Sequence, residues 1–64
     1  MNNTKLTSVK ILQALYHNFK EKTVNSNMTL QKLTNRAIDM YLEDDKFREN
    51  IELHDDLMVS GSNF

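Results

Sequence analysis

The pattern of hydrophobic and polar residues along the chain predicts one short strand followed by helices. Residues 6–12, LTSVKIL, alternate between the two classes, as a half-buried strand does. One side of this strand would carry Thr7, Val9 and Ile11, and the other Leu6, Ser8 and Lys10. No second strand pattern follows, so the simplest partner is the same strand of a second copy, paired antiparallel about a two-fold axis.

Two amphipathic helices are predicted after the strand, separated by residues 25–27, NSN. The first runs from about residue 12 or 13 to 24, with apolar positions three and four residues apart. The second starts after Thr29 as N-cap and runs to about Asp44 or beyond. Its main apolar face contains Leu30, Leu33, Ala37, Met40 and Tyr41. Ile38 and Leu42 widen this face, so we expect the second helix to contact both its own chain and another one.

The chain becomes acidic after the second predicted helix. Phe47, Ile51, His54 and Met58 keep a helical spacing, which is compatible with a short third helix or with an extension of the second. Residues 60–64, SGSNF, are typical of a disordered end. The domain division that we predict is an arm at 1–4, a folded domain at 5–45 and an acidic tail at 46–64.

The distribution of charge and the length of the chain add two further expectations. Residues 1–36 carry six basic side chains and one acidic, a net charge of +5, whereas residues 37–64 carry two basic and eight acidic, a net charge of −6. A polyanion would be attracted to the first part and repelled by the second. With 64 residues and no cysteine, the chain is short for a stable core and has no disulfide to support it. Oligomerisation is the remaining means of stabilisation.

Two segments, VKILQALYHNF and NMTLQKLTNRAIDMYL, resemble the ribbon-helix-helix family of DNA-binding repressors, the group of Arc, MetJ and CopG. The resemblance covers residues 5–43. It implies a mainly α fold with one short strand, in which an intertwined homodimer forms a two-stranded antiparallel β-ribbon. The chain departs from the family pattern at Asn27, where a turn glycine is common, and at Leu12, where a capping residue is usual.

The resemblance also implies which residues contact DNA. The ribbon enters the major groove, and the start of the second helix binds backbone phosphate. The implied base contacts are Leu6, Ser8 and Lys10. The implied phosphate contacts are Lys5, Thr29, Leu30, Gln31, Lys32 and Arg36. The implied dimer core is Val9, Ile11, Leu15, Phe19, Leu33, Ala37, Ile38, Tyr41 and Leu42.

These observations predict a sequence-specific DNA-binding transcriptional regulator, a repressor, in the cytoplasm of a bacterial or phage-infected host cell. Its gene would suit a phage or plasmid. The expected partners are double-stranded DNA and a second copy, with higher oligomers on DNA. Two alternatives stay open, namely an antitoxin whose segment 46–64 binds a toxin, and a protein-interaction module without DNA binding. No enzymatic activity, catalytic residue, metal or cofactor is expected, since His17 and His54 lie far apart without partners at useful spacing.

Overall fold

Three helices make up the regular structure of the residues that the structure describes. The computed structural model describes residues 3–59 and contains α1 (Gln13–Lys22), α2 (Leu30–Glu43) and α3 (Asp45–Leu53). Residues 3–12 and 54–59 belong to no helix and no strand. The predicted disordered end, 60–64, and the first two residues of the predicted arm lie outside the described residues. Across residues 3–59, no helix is long and apolar enough to cross a membrane.

The predicted strand at residues 6–12 is wrong, and so is the ribbon-helix-helix fold class that depends on it. The described chain contains no strand. The last residue of this segment, Leu12, accepts a backbone hydrogen bond from Tyr16 N at 3.0 Å, which is the first bond of α1. Alternation favours a strand but supplies no hydrogen-bond partner, and the other described residues of this chain offer residues 6–12 no second strand to pair with. The mainly α character of the prediction is retained.

The first helix is shorter than its apolar periodicity suggests. It begins at Gln13 without a side-chain cap, because Leu12 at the N-cap position has no polar group. It ends where Thr23 turns back onto it, since both the amide and the hydroxyl of Thr23 donate to the Phe19 carbonyl, at 3.0 and 2.8 Å. Lys20 and Lys22 in the last turn face the negative end of the helix dipole.

Caps fix the boundaries of the other two helices. The Thr29 hydroxyl accepts from the Lys32 amide at 3.0 Å, as the sequence predicted for the start of α2. Asp44 closes α2, because its amide donates to the Met40 carbonyl at 2.8 Å. The same residue opens α3, since its Oδ1 accepts from the amides of Lys46 and Phe47 at 3.0 and 3.1 Å. Asp44 therefore makes α3 a separate helix and not an extension of α2.

The described part of the chain does not close around a buried core. Among the three helices only α2 and α3 pack against each other, and α1 stands apart from both. No residue of segment 3–59 is fully buried. The radius of gyration is 13.4 Å, whereas a compact chain of this length has about 10–11 Å. The half-buried side chains are Leu12, Leu15, Phe19, Thr23, Met28, Leu30, Ala37, Tyr41, Phe47, Arg48, Leu57 and Val59.

Candidate nucleic-acid interface

Residues of the N-terminal segment and of the first half of α2 together line a cleft. We call this the arm cleft; its volume is about 500 Å³. It is lined by Asn3, Thr4, Lys5, Leu6, Gln31 and Asn35. The cleft thus joins two regions that the sequence assigned to DNA contact, the segment before α1 and the start of α2. None of its lining residues is acidic.

The start of α2 supplies fixed hydrogen-bond donors beside the arm cleft. The Thr29 cap uses the Lys32 amide, and the Leu33 amide bonds the Thr29 carbonyl at 2.9 Å. The amides of Leu30 and Gln31 remain without an acceptor in the helix, at the positive end of its dipole. Such a helix start is suited to an anionic oxygen.

Amide side chains form the α2 wall of the cleft. Gln31 and Asn35 are one turn apart, and Asn35 Nδ2 donates to the backbone carbonyl of Gln31 at 2.8 Å. This bond orients the Asn35 amide so that its oxygen remains free to accept. Because a carboxamide both donates and accepts, this wall can bond base edges as well as phosphate.

Basic side chains surround the start of α2. Lys32 Nζ donates to the Asn27 carbonyl at 3.0 Å, which holds its ammonium beside the turn that precedes α2. Arg36 and Lys5 are exposed, and between described residues no hydrogen bond or ion pair engages their side chains. Of the predicted phosphate contacts, Lys5 and Gln31 line the cleft, whereas Thr29, Leu30, Lys32 and Arg36 do not.

The predicted base contacts are brought to the cleft only in part. Leu6 lines it and is 98% exposed, whereas Ser8 and Lys10 are exposed outside it. Val9, expected on the buried side of a strand, is 76% exposed. The segment therefore has no buried and exposed sides, and the expectation that a ribbon face presents Leu6, Ser8 and Lys10 is wrong.

The residues predicted for a dimer core divide into two groups. Leu15, Phe19, Ala37 and Tyr41 are half-buried within the single chain. The exposed members of the predicted core are Val9, Ile11, Leu33, Ile38 and Leu42. The second group is exposed in a single chain, so it is the part of the predicted core that requires a second copy to become buried.

A polar contact that the sequence did not predict fixes α3 against α2. The Tyr41 hydroxyl donates to Glu52 Oε2 at 2.6 Å, and Arg48 Nη1 donates to the Tyr41 carbonyl at 3.3 Å. The Arg48 guanidinium also lies 6.0 Å from the centre of the Tyr41 ring. The hydrogen bond to Glu52 is the largest cause that raises the pKa of Tyr41 above 10.0; desolvation and the Glu52 charge add to it, and the Arg48 charge opposes it.

Sequence reasoning missed Asn3, Thr4 and Asn35 as members of the cleft. A signal existed for Asn35, because it lies four residues after Gln31 on the polar side of α2. His17 pairs with Glu21 at 3.4 Å on the exposed face of α1. Residues 3–59 contain no group of three acidic or histidine side chains that could hold a metal ion.

A scan against protein-family models and searches of curated proteins and of solved structures find no match for this chain.

Proposed function

We propose that the protein is a sequence-specific DNA-binding transcriptional regulator, a repressor, that acts as a homodimer. The observation that carries the proposal is the arm cleft, which places a basic N-terminal segment beside the free amides of a helix start. The cleft lies in the part of the chain with a net charge of +5. A polyanion with regularly spaced phosphates is the ligand that such a surface favours.

Phosphate binding is assigned to the start of α2. The amides of Leu30 and Gln31 point out of the helix, and Lys32 and Arg36 follow on its first turns. These contacts position the protein on the duplex and carry no sequence information of their own.

Base recognition is assigned to the N-terminal segment. Lys10 donates to guanine O6 or N7, Ser8 donates or accepts, and Leu6 contacts a thymine methyl. The segment has no helix or strand of its own, so it follows the groove after α2 has bound phosphate.

A dimer is included because one chain is incompletely packed. No residue of segment 3–59 is fully buried, and Ile38 and Leu42 are 55% and 67% exposed. Two copies also double the number of phosphate contacts and read two half-sites, which raises affinity without new contacts within each half.

The test is selection of binding sites from random duplexes with the full chain, followed by anisotropy titrations of the selected duplex over a range of salt concentrations. We expect a consensus of two related half-sites. Lys32→Ala should weaken binding to all duplexes and reduce the slope of log K against log salt by about 1 for each phosphate that is no longer neutralised. Lys10→Ala should cost about 1–3 kcal/mol on the selected duplex and less on random DNA.

Lys46→Ala is the matched control, since it removes a lysine from the acidic part of the chain. It should leave affinity and salt slope unchanged. Failure to enrich any sequence, or equal effects of Lys32→Ala and Lys46→Ala, would refute the proposal. Unchanged DNA affinity in a Ser8→Ala and Lys10→Ala double variant would favour the interaction-module alternative.

A further inference from the structure

The packing of α3 on α2 creates an apolar groove that the proposed DNA contact does not use. We call it the α2–α3 groove; it has a volume of about 210 Å³ and is lined by Ala37, Ile38, Tyr41, Phe47 and Ile51. It is incompletely filled, because Ile38 and Ile51 remain 55% and 50% exposed. Its lining is aliphatic and aromatic, so a further apolar side chain is the group that fits it.

The groove is held in shape by polar contacts at its edge. The bond from the Tyr41 hydroxyl to Glu52 and the bond from Arg48 to the Tyr41 carbonyl both link α2 to α3. The Asp44 cap fixes where α3 begins. A groove that exists before its occupant arrives loses less conformational freedom on binding than one that has to form.

The first helix carries a matching apolar stripe that its own α2 and α3 do not cover, although Leu15 and Phe19 are half-buried within the single chain. Leu15, Tyr16 and Phe19 follow one another at helical spacing, and α1 packs against neither other helix. Met58 lies beside Leu15 and Phe19, but it is itself 85% exposed and covers only part of the stripe. Tyr16, on the side away from Met58, is 44% exposed.

The charges on the two surfaces are complementary. Lys20 and Lys22 border the α1 stripe on its two sides, and the Lys20 ammonium lies 6.0 Å from the centre of the Tyr16 ring. Residues 44–56, which include one wall of the groove, carry six carboxylates against Lys46 and Arg48. A basic amphipathic helix is therefore the occupant that this acidic part of the chain attracts.

We propose that α1 of one copy packs into the α2–α3 groove of a second copy, and that the second copy returns the same contact. The two-fold arrangement uses each stripe and each groove once, so the assembly closes as a dimer. This contact rests on the homodimer of the proposed function and describes how its two chains pack, but its formation requires no DNA. The occupant of the α2–α3 groove is α1 of a second copy, because every copy carries both the α1 stripe and the groove.

The absence of cysteine permits a direct crosslinking test on the full chain. Asn18→Cys labels the edge of the α1 stripe, and Thr34→Cys labels α2 one turn before Ile38. The two variants are mixed, treated with a short bismaleimide without DNA, and the products are identified by mass. We expect the mixed product to exceed both products of identical chains. Asp39→Cys, on the opposite face of α2, is the matched control and should give about tenfold less mixed product.

Two results would overturn the inference. One is a mixed product at the level of the Asp39→Cys control. The other is a chain carrying both Asn18→Cys and Thr34→Cys that crosslinks within itself, which would mean that α1 closes over its own groove. If either result is obtained while sedimentation shows a dimer, the homodimer of the proposed function stands and only the contact between α1 and the α2–α3 groove is refuted. A chain that stays monomeric in sedimentation contradicts both the homodimer and this contact.

Sedimentation equilibrium of charge variants gives a second, independent test. Lys20→Glu with Lys22→Glu should weaken dimerisation at least fivefold, and added salt should reduce the difference from the unmodified chain. His17→Ala is the control, because His17 lies on the other face of α1 next to Glu21. Circular dichroism confirms that α1 is retained. Equal dimerisation of the charge variant and the control would count against the inference.

Discussion

Tyr41 holds α2 and α3 together through three of its groups. Its hydroxyl bonds Glu52, its carbonyl accepts from Arg48, and its ring lies under the Arg48 guanidinium. Only the hydroxyl titrates. Because its pKa is raised, the folded chain retains the phenol proton at pH values where a free tyrosine begins to lose it.

We therefore predict that the hydrogen bond from Tyr41 to Glu52 is present from neutral pH up to 10.0 and is lost as pH rises through the raised pKa of Tyr41. In a Tyr16→Phe chain, Tyr41 is the only tyrosine, so phenolate absorbance reports its titration alone. The midpoint should lie above 10.0, and Glu52→Gln should move it down towards 10.0. A midpoint at or below that value, unmoved by Glu52→Gln, would contradict the hydrogen bond.

At the scale of elements, a single residue separates α2 from α3. Asp44 has extended backbone angles, φ −119° and ψ 104°, between two helical stretches. Without its side-chain cap, the first amides of α3 would have no partner, and the apolar period through Phe47 and Ile51 would favour one continuous helix. The α2–α3 groove therefore depends on this residue.

We predict that Asp44→Ala destabilises the chain by about 1 kcal/mol, as is typical when an N-cap is removed. Asp44→Asn keeps an acceptor oxygen and should cost less. Asp39→Ala, at an exposed position inside α2, is the matched control and should change stability little, since alanine favours the helix. The measurement is urea unfolding followed by circular dichroism, at one protein concentration. Equal destabilisation by Asp44→Ala and Asp39→Ala would show that the cap contributes nothing.

The sequence predicted the elements better than their arrangement. The spacing of Leu15 and Phe19 and the capping hydroxyl of Thr29 are local features, and local features specified α1 and α2. The strand failed because alternation at residues 6–12 describes side chains and says nothing about backbone partners. The bond from Tyr41 to Glu52 joins residues eleven positions apart in two helices, so no local pattern could reveal it.

The arm cleft illustrates the same limit at the candidate site. The start of α2 was identified from Thr29 and the basic residues that follow it. The approach of Lys5 and Leu6 to Gln31 and Asn35 depends on how the chain returns along α2, which is a property of the whole fold. Residue types indicated the chemistry of the candidate site, but the three-dimensional structure was needed to identify the residues that line it.

For the whole molecule, the central property is that the apolar side chains of a single chain are only partly buried. A radius of gyration of 13.4 Å and the absence of a fully buried residue between positions 3 and 59 describe a single chain that buries little apolar surface by itself. In the homodimer that we propose, association and folding are linked, and stability depends on protein concentration.

We predict that the midpoint of thermal unfolding rises with protein concentration. A tenfold increase should stabilise the dimer by about 1.4 kcal/mol, which for a small chain corresponds to several degrees. Differential scanning calorimetry over a hundredfold range of concentration measures the effect, and the Lys20→Glu with Lys22→Glu variant should unfold at a lower temperature throughout. A midpoint that is the same at all concentrations would mean that the single chain is the stable unit.

The lack of regular structure at residues 3–12 has a thermodynamic consequence for the DNA binding that we propose. No helix or sheet fixes the backbone of this segment, and each residue whose backbone is newly fixed on DNA costs about 1–2 kcal/mol of conformational entropy, which offsets part of the energy of its contacts. Binding of this kind is driven by enthalpy and opposed by entropy. A non-cognate duplex, which offers fewer contacts for the same ordering, would leave the segment free and be held by α2 alone.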